Sequence, residues 1–199
     1  MGRRAVWGRV ISAIPTALWT AAMLCYETVA VTLAVVFAVV LHECGHLLSF
    51  SLLGEPPPKI RGCPGGVRIL SARSLSYRKE LLTALAGPTA NLAAAALCLL
   101  FARQAEGYLL LCATMQLLVA AGNLLPIQTL DGGRALSAVV SMKTDAERAW
   151  LVCRVTSLLC IVGVLFVSLG FLWFRGQCIY FSFLMLVFLV LHIQETETV

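Results

Sequence analysis

The stretch "VVFAVVLHECGHLLSF", residues 35–50, is an apolar run suited to lipid that carries two histidines and a glutamate at its centre. Its middle reads His42-Glu43-Cys44-Gly45-His46, an H-E-x-x-H pattern. On a helix, residues four apart lie one above the other on a single face, so both imidazoles reach one ion. Glu43, next to the first histidine, reaches a water beside such an ion without joining its ligands. A charged or strongly polar side chain at the centre of a span costs about 2.5–3.5 kcal/mol on insertion scales, so these three need partners. Hydrogen bonds between helices, with Glu43 protonated, would meet that need. They would not explain the spacing of a metal pair with a base beside it.

The rest of the chain fits a lipid setting. Of its 199 residues 60% are hydrophobic and 13% charged, with a mean hydropathy of +0.90. A soluble domain is nearer to about half apolar and about a quarter charged. Six apolar stretches, at approximately 9–25, 28–53, 81–102, 107–126, 149–174 and 178–193, each approach the length of about 20 residues that a span requires. The expectation is an all-α polytopic membrane protein of about six transmembrane helices, forming a single domain over 1–199. The first stretch, preceded by Arg3, Arg4 and Arg9, also resembles a signal peptide, but no small-x-small cleavage site follows it, so a retained span is expected.

A net charge of +5 raises the question of nucleic acid. The basic residues instead gather in alternate loops. Arg3, Arg4, Arg9, Lys59, Arg61, Arg68, Arg73, Arg78, Lys79, Arg134, Lys143 and Arg148 fall on one side, and only Arg103 and Arg175 on the other. The positive-inside rule then places both termini in the cytoplasm, with lipid rather than nucleic acid as the partner. Of the eight cysteines, Cys25, Cys98, Cys112, Cys153 and Cys160 lie in apolar stretches and no C-x-x-C pair occurs, so unpaired thiols are expected.

Two loops read as structured. After three prolines that end the second stretch, "KIRGC-PGG-VRILSA" reads as two short strands about a Pro-Gly-Gly turn, against the alternative of a solvated basic loop. Residues 127–148 read as a turn and a short helix. A catalytic zinc site commonly takes three protein ligands and leaves a position open. His192, near the end of the sixth stretch, is a poor third ligand. Asp131, in "GNLLPIQTLDGGRAL", follows a helix broken at Pro126 and precedes two glycines that allow a tight turn. The alternative for Asp131 is a helix N-cap.

Three ordered motifs carry a family resemblance: His42-Glu43-Cys44-Gly45-His46, "ALAGPTANL" at 84–92, and Asn123-Leu124-Leu125-Pro126 with Leu130-Asp131-Gly132. Together they resemble the site-2 proteases, zinc metalloproteases that cut inside membranes, and the layout is similar to the sporulation branch of that family. The resemblance implies His42, His46 and Asp131 as ligands of one zinc ion and Glu43 as catalytic acid and base. It implies a substrate-holding role for Asn123, and roles in packing or the substrate path for Gly87, Pro88 and Asn91. It further implies a bacterial cytoplasmic membrane, a membrane-associated protein substrate cut near the cytoplasmic face, and regulatory or inhibitory membrane proteins as partners. Ile69, on the edge of the hairpin, is a candidate for holding substrate by strand addition. The chain departs from relatives at Thr129, where many have proline, and in ending at "HIQETETV" with no nucleotide-binding (CBS) domain following. A metal-binding protein without catalysis, or a metal carrier, is the alternative reading.

Overall fold

The computed structural model describes residues 28–55, 59–63, 66–70, 75–102 and 107–175, which form five helices and one two-stranded ribbon. The expected spans at 9–25 and 178–193 lie outside the described residues. α1 covers Val29–Leu52, α2 Tyr77–Phe101, α3 Tyr108–Asn123, α4 Asp131–Ser141 and α5 Ala146–Arg175. Among them α1, α2 and the Ala146–Val167 part of α5 are long and apolar enough to cross a membrane.

α1 starts at Thr28, whose hydroxyl accepts from the Val31 amide at 3.4 Å. It ends before the prolines reach it. Gly54 takes a φ of 66°, and the amides of Gly54 and Glu55 bond back to the carbonyls of Ser51 and Phe50 at 3.2 and 3.0 Å. That is a Schellman cap, which glycine permits because it has no Cβ to clash. Lys79, at the start of α2, reaches the Leu53 carbonyl and pairs with Glu55, fastening the two helix ends together.

Between these helices β1 (Lys59–Cys63) and β2 (Gly66–Leu70) run antiparallel, with Ile60 opposite Ile69 and Arg61 opposite Arg68. The order is β1-β2, so the other edge of β2 has no strand partner among the described residues.

α2 is the central element and packs against α1, α3 and α4. The α1–α2 contact is close at Gly45, where a Cβ would stand 2.7 Å from the Ala86 carbonyl oxygen and 2.9 Å from Ala90. Small residues at such a contact let helix backbones approach where no hydrophobic force drives them together. Outward faces are apolar and exposed, as at Leu33, Phe37, Leu100, Leu118 and Leu159.

The fourth stretch is shorter as a helix than its apolar run suggested. α3 has 16 residues, a rise of about 24 Å against a hydrocarbon core of about 30 Å. It ends at Asn123, ahead of Pro126, and a turn through 124–130 leads into α4. Gly132 and Gly133 press on that turn: a Cβ on either would sit within 2.2 Å of the carbonyl oxygen of Leu124 or Ile127. The early end and the tight turn bring Asp131 back to the histidines. Among the described residues Cys44, Cys98, Cys112, Cys153 and Cys160 are free thiols.

Candidate metal centre

α1 presents His42 and His46 on one buried face, and α4 begins at Asp131, also buried. Leu130 is the N-cap of α4 and makes no side-chain cap bond, so Asp131 is the first helical residue rather than the cap. Its carboxylate is turned inward. Asp131 Oδ2 lies 2.8 Å from His42 Nε2 and 3.0 Å from His46 Nε2, and the two Nε2 atoms are 3.2 Å apart. Ligands of a tetrahedral zinc at about 2.0–2.1 Å would lie roughly 3.3 Å from one another, close to this triangle. The three residues form one group able to hold a metal ion.

The outer contacts decide what the triangle is. His42 Nδ1 lies 2.7 Å from Asn91 Oδ1, and His46 Nδ1 lies 2.8 Å from the Thr83 carbonyl oxygen. A carbonyl only accepts, so His46 donates from Nδ1. Asn91 is oriented the same way, because its amide nitrogen donates to the Ala38 carbonyl at 2.9 Å and to Gln116 Oε1. Asn91 Oδ1 is therefore the atom facing His42. With both Nδ1 atoms protonated, both Nε2 atoms offer lone pairs to the same point as the carboxylate oxygen. A proton would serve one edge of that triangle; a cation serves all three. Such outer contacts commonly fix the tautomer of a metal-binding histidine.

Gly87 on α2 leaves the room. A Cβ there would lie 2.6 Å from His46 Nε2 and 2.7 Å from His42 Nε2. Any side chain would occupy the space where the lone pairs converge. The donor set, two imidazoles and a carboxylate, suits zinc, and the space and tautomers fit an ion.

Behind the triangle, Arg134 Nη1 donates to Asp131 Oδ1 at 3.2 Å, while its Nη2 and Nε donate to Glu80 Oε1 at 2.8 and 3.1 Å. Against the cost of its burial, the guanidinium of Arg134 beside it favours the ionised form of the Asp131 carboxyl. It stands as an anion, with one oxygen for Arg134 and the other for the site. Glu43 is half-buried beside His42, and its carboxylate is hydrogen-bonded to no side chain among the described residues. That leaves it free for a proton.

The structure thus brings together His42, His46 and Asp131, with Glu43 alongside. No hydrogen bond joins Asn123 to this group; its amide donates to the Val119 carbonyl of its own helix at 3.0 Å. Ile69 lies on β2, away from this cluster in the chain and in a different element. Sequence reasoning missed the part of Asn91, assigned to packing or the substrate path, and that of Gln116, Thr83 and the Glu80–Arg134 pair. Asn91 and Gln116 had one signal visible in the sequence: amide side chains inside apolar stretches.

These supports predict a graded loss. Asn91→Leu removes the acceptor that sets the His42 tautomer, and zinc affinity is expected to fall about 10–100-fold. Gly87→Ala places a methyl against both ligand atoms and is expected to cost more. Competition with a chromogenic chelator measures both. Parent-like affinity in Gly87→Ala would show that the ion does not sit between these imidazoles.

No protein-family model matches the chain, and no curated protein matches it. Among solved structures, the fold is similar to that described as "Site-2 Protease from Methanocaldococcus jannaschii", with a TM-score of 0.63 over 94% of this chain and 88% of that one. The sequences are 19% identical across the match. The likeness is one of fold: this chain has the architecture of a site-2 protease, built around a His-His-Asp group that can hold a metal ion.

Proposed function

We propose that the chain is an intramembrane zinc metalloprotease that hydrolyses a peptide bond of a membrane-associated protein. The observation that carries the reading is the convergence of three acceptor atoms, with both imidazole tautomers fixed by Asn91 and the Thr83 carbonyl. Zinc held there would supply an acidified water and a polarised scissile carbonyl. Glu43 takes the proton from the attacking water and returns it to the leaving amine. Asp131 stays anionic through the cycle because Arg134 donates to its outer oxygen. Cleavage that stops when a chelator removes the metal, and returns when zinc is added back, tests this reading in the reconstituted chain. Cleavage that survives chelation with no metal left would exclude it.

The distribution of basic loops supports cytoplasmic termini, and the resemblance to site-2 proteases supports cleavage near the cytoplasmic face of a bacterial membrane. "NLLPIQTLDGGRAL" and the six-stretch layout resemble stage IV sporulation protein FB, which supports a membrane-associated transcription-factor precursor as the substrate class, under control of other membrane proteins.

A peptide must be extended to offer its carbonyls, and the unpaired edge of β2 supports strand addition as the means of holding it. Proline lacks the N–H that such an edge donates. Ile69→Pro is expected to lower cleavage sharply with zinc retained, and Ile69→Ala to change it little. Parent-like cleavage by Ile69→Pro would exclude this edge and move substrate holding to Asn123.

A further inference from the structure

Of the chain's fifteen lysines and arginines, Arg154 alone falls well inside one of the six apolar stretches of the sequence. It lies on α5, about two turns past the helix start at Ala146. An ionisable group within a span is functional by default. Its guanidinium sits over the Trp150 ring, 4.7 Å from the centroid, and no acidic side chain among the described residues pairs with it.

Arg154 forms one wall of a cavity of about 760 Å³ between α4, α5 and the start of α2. Glu80 and Arg134 line the cavity too, and they are already paired with each other. The unmatched charge in the cavity is therefore that of Arg154. Ser137 and Ser141 of α4 line the cavity as well. The volume is within the range of about 300–1,000 Å³ usual for a small-molecule site.

What continues from the cavity is apolar. Residues four apart on a helix form one row. The row through Arg154 runs from Trp150 (43% exposed) to Leu158 (41%), Val162 (47%) and Phe166 (79%). A cation beside an aromatic ring therefore heads a strip of uncovered hydrocarbon along a helix long and apolar enough to cross a membrane. The metal ligands do not line this cavity, so a peptide held in it would not thereby be placed for cleavage. A charged head with a hydrocarbon tail matches both parts of the surface.

We propose that the cavity takes the phosphate headgroup of an anionic membrane lipid, with Arg154 as its cation and the Leu158–Val162–Phe166 row against an acyl chain. Native mass spectrometry of the full chain in detergent, titrated with phosphatidylglycerol or phosphatidylcholine, tests it. Phosphatidylglycerol is expected to bind about five- to ten-fold more tightly. Arg154→Gln should abolish the preference and Arg154→Lys should keep most of it, with bound zinc equal to the parent in both as the check on folding.

Phe166→Ala should weaken both lipids without changing their ratio, which keeps the test open if Arg154→Gln fails to fold. An undiminished preference in Arg154→Gln overturns the proposal. So does displacement of phosphatidylglycerol by millimolar inorganic phosphate, which would make this a site for the free anion. Unchanged lipid binding with a raised KM for a membrane-anchored substrate in Arg154→Gln would instead assign the cavity to peptide.

Discussion

Asp131→Ala is expected to release the metal and end proteolysis while leaving the chain in the membrane. The carboxylate is one of three ligands that the described residues offer the site, and the sole anion among those three. Apparent zinc-binding energies of about 10–16 kcal/mol are shared among three or four ligands, so losing one weakens binding on the order of 10²–10⁴-fold. His42→Ala and His46→Ala remove the other two ligands and should act alike. Insertion should survive each change, because the apolar faces of α1, α2 and α5 are untouched. Arg134 keeps its partner in Glu80 when Asp131 is lost, so no guanidinium is stranded. Zinc measured per chain after gel filtration gives the answer. Stoichiometric zinc in Asp131→Ala would mean that the third ligand lies elsewhere.

Much of this site was legible from residue spacing. Two histidines four apart can share an ion wherever the helix forms, and polar groups in an apolar run had to find partners there. Asp131 was legible because a helix broken near Pro126 and followed by two glycines announces a turn. The support of the site was harder to read. The partner of His46 is a backbone carbonyl, at Thr83, and every residue has one. Asn91 was singled out, but nothing in its spacing says that it faces His42 across two helices, or that Gln116 orients its amide. The motif of Asn123 suggested substrate, while locally the side chain closes onto Val119 one turn back, as asparagine does where a helix ends.

The fold divides in the same way. Helix positions followed from apolar length, yet α2 begins at Tyr77, ahead of the apolar run, because Lys79 and Glu80 find partners outside the helix core. Lys79 fastens α1, and Glu80 holds Arg134 behind the metal ligand. Charged residues that look like loop in a hydropathy reading here form the first turn of the central helix.

Glu43→Gln separates the protease from a protein that only binds metal. Glutamine keeps the size and hydrogen-bonding reach of glutamate but cannot take a proton, and a positioned general base contributes typically about 10²–10⁴-fold. Because Glu43 lies outside the His42–His46–Asp131 group, its loss should leave the metal in place. The direct measurement is zinc per chain and product formed from a membrane-anchored protein, in one preparation of the Glu43→Gln chain beside the parent. The proposed mechanism predicts one zinc retained and cleavage reduced at least about 100-fold. Parent-level cleavage with zinc bound would contradict it.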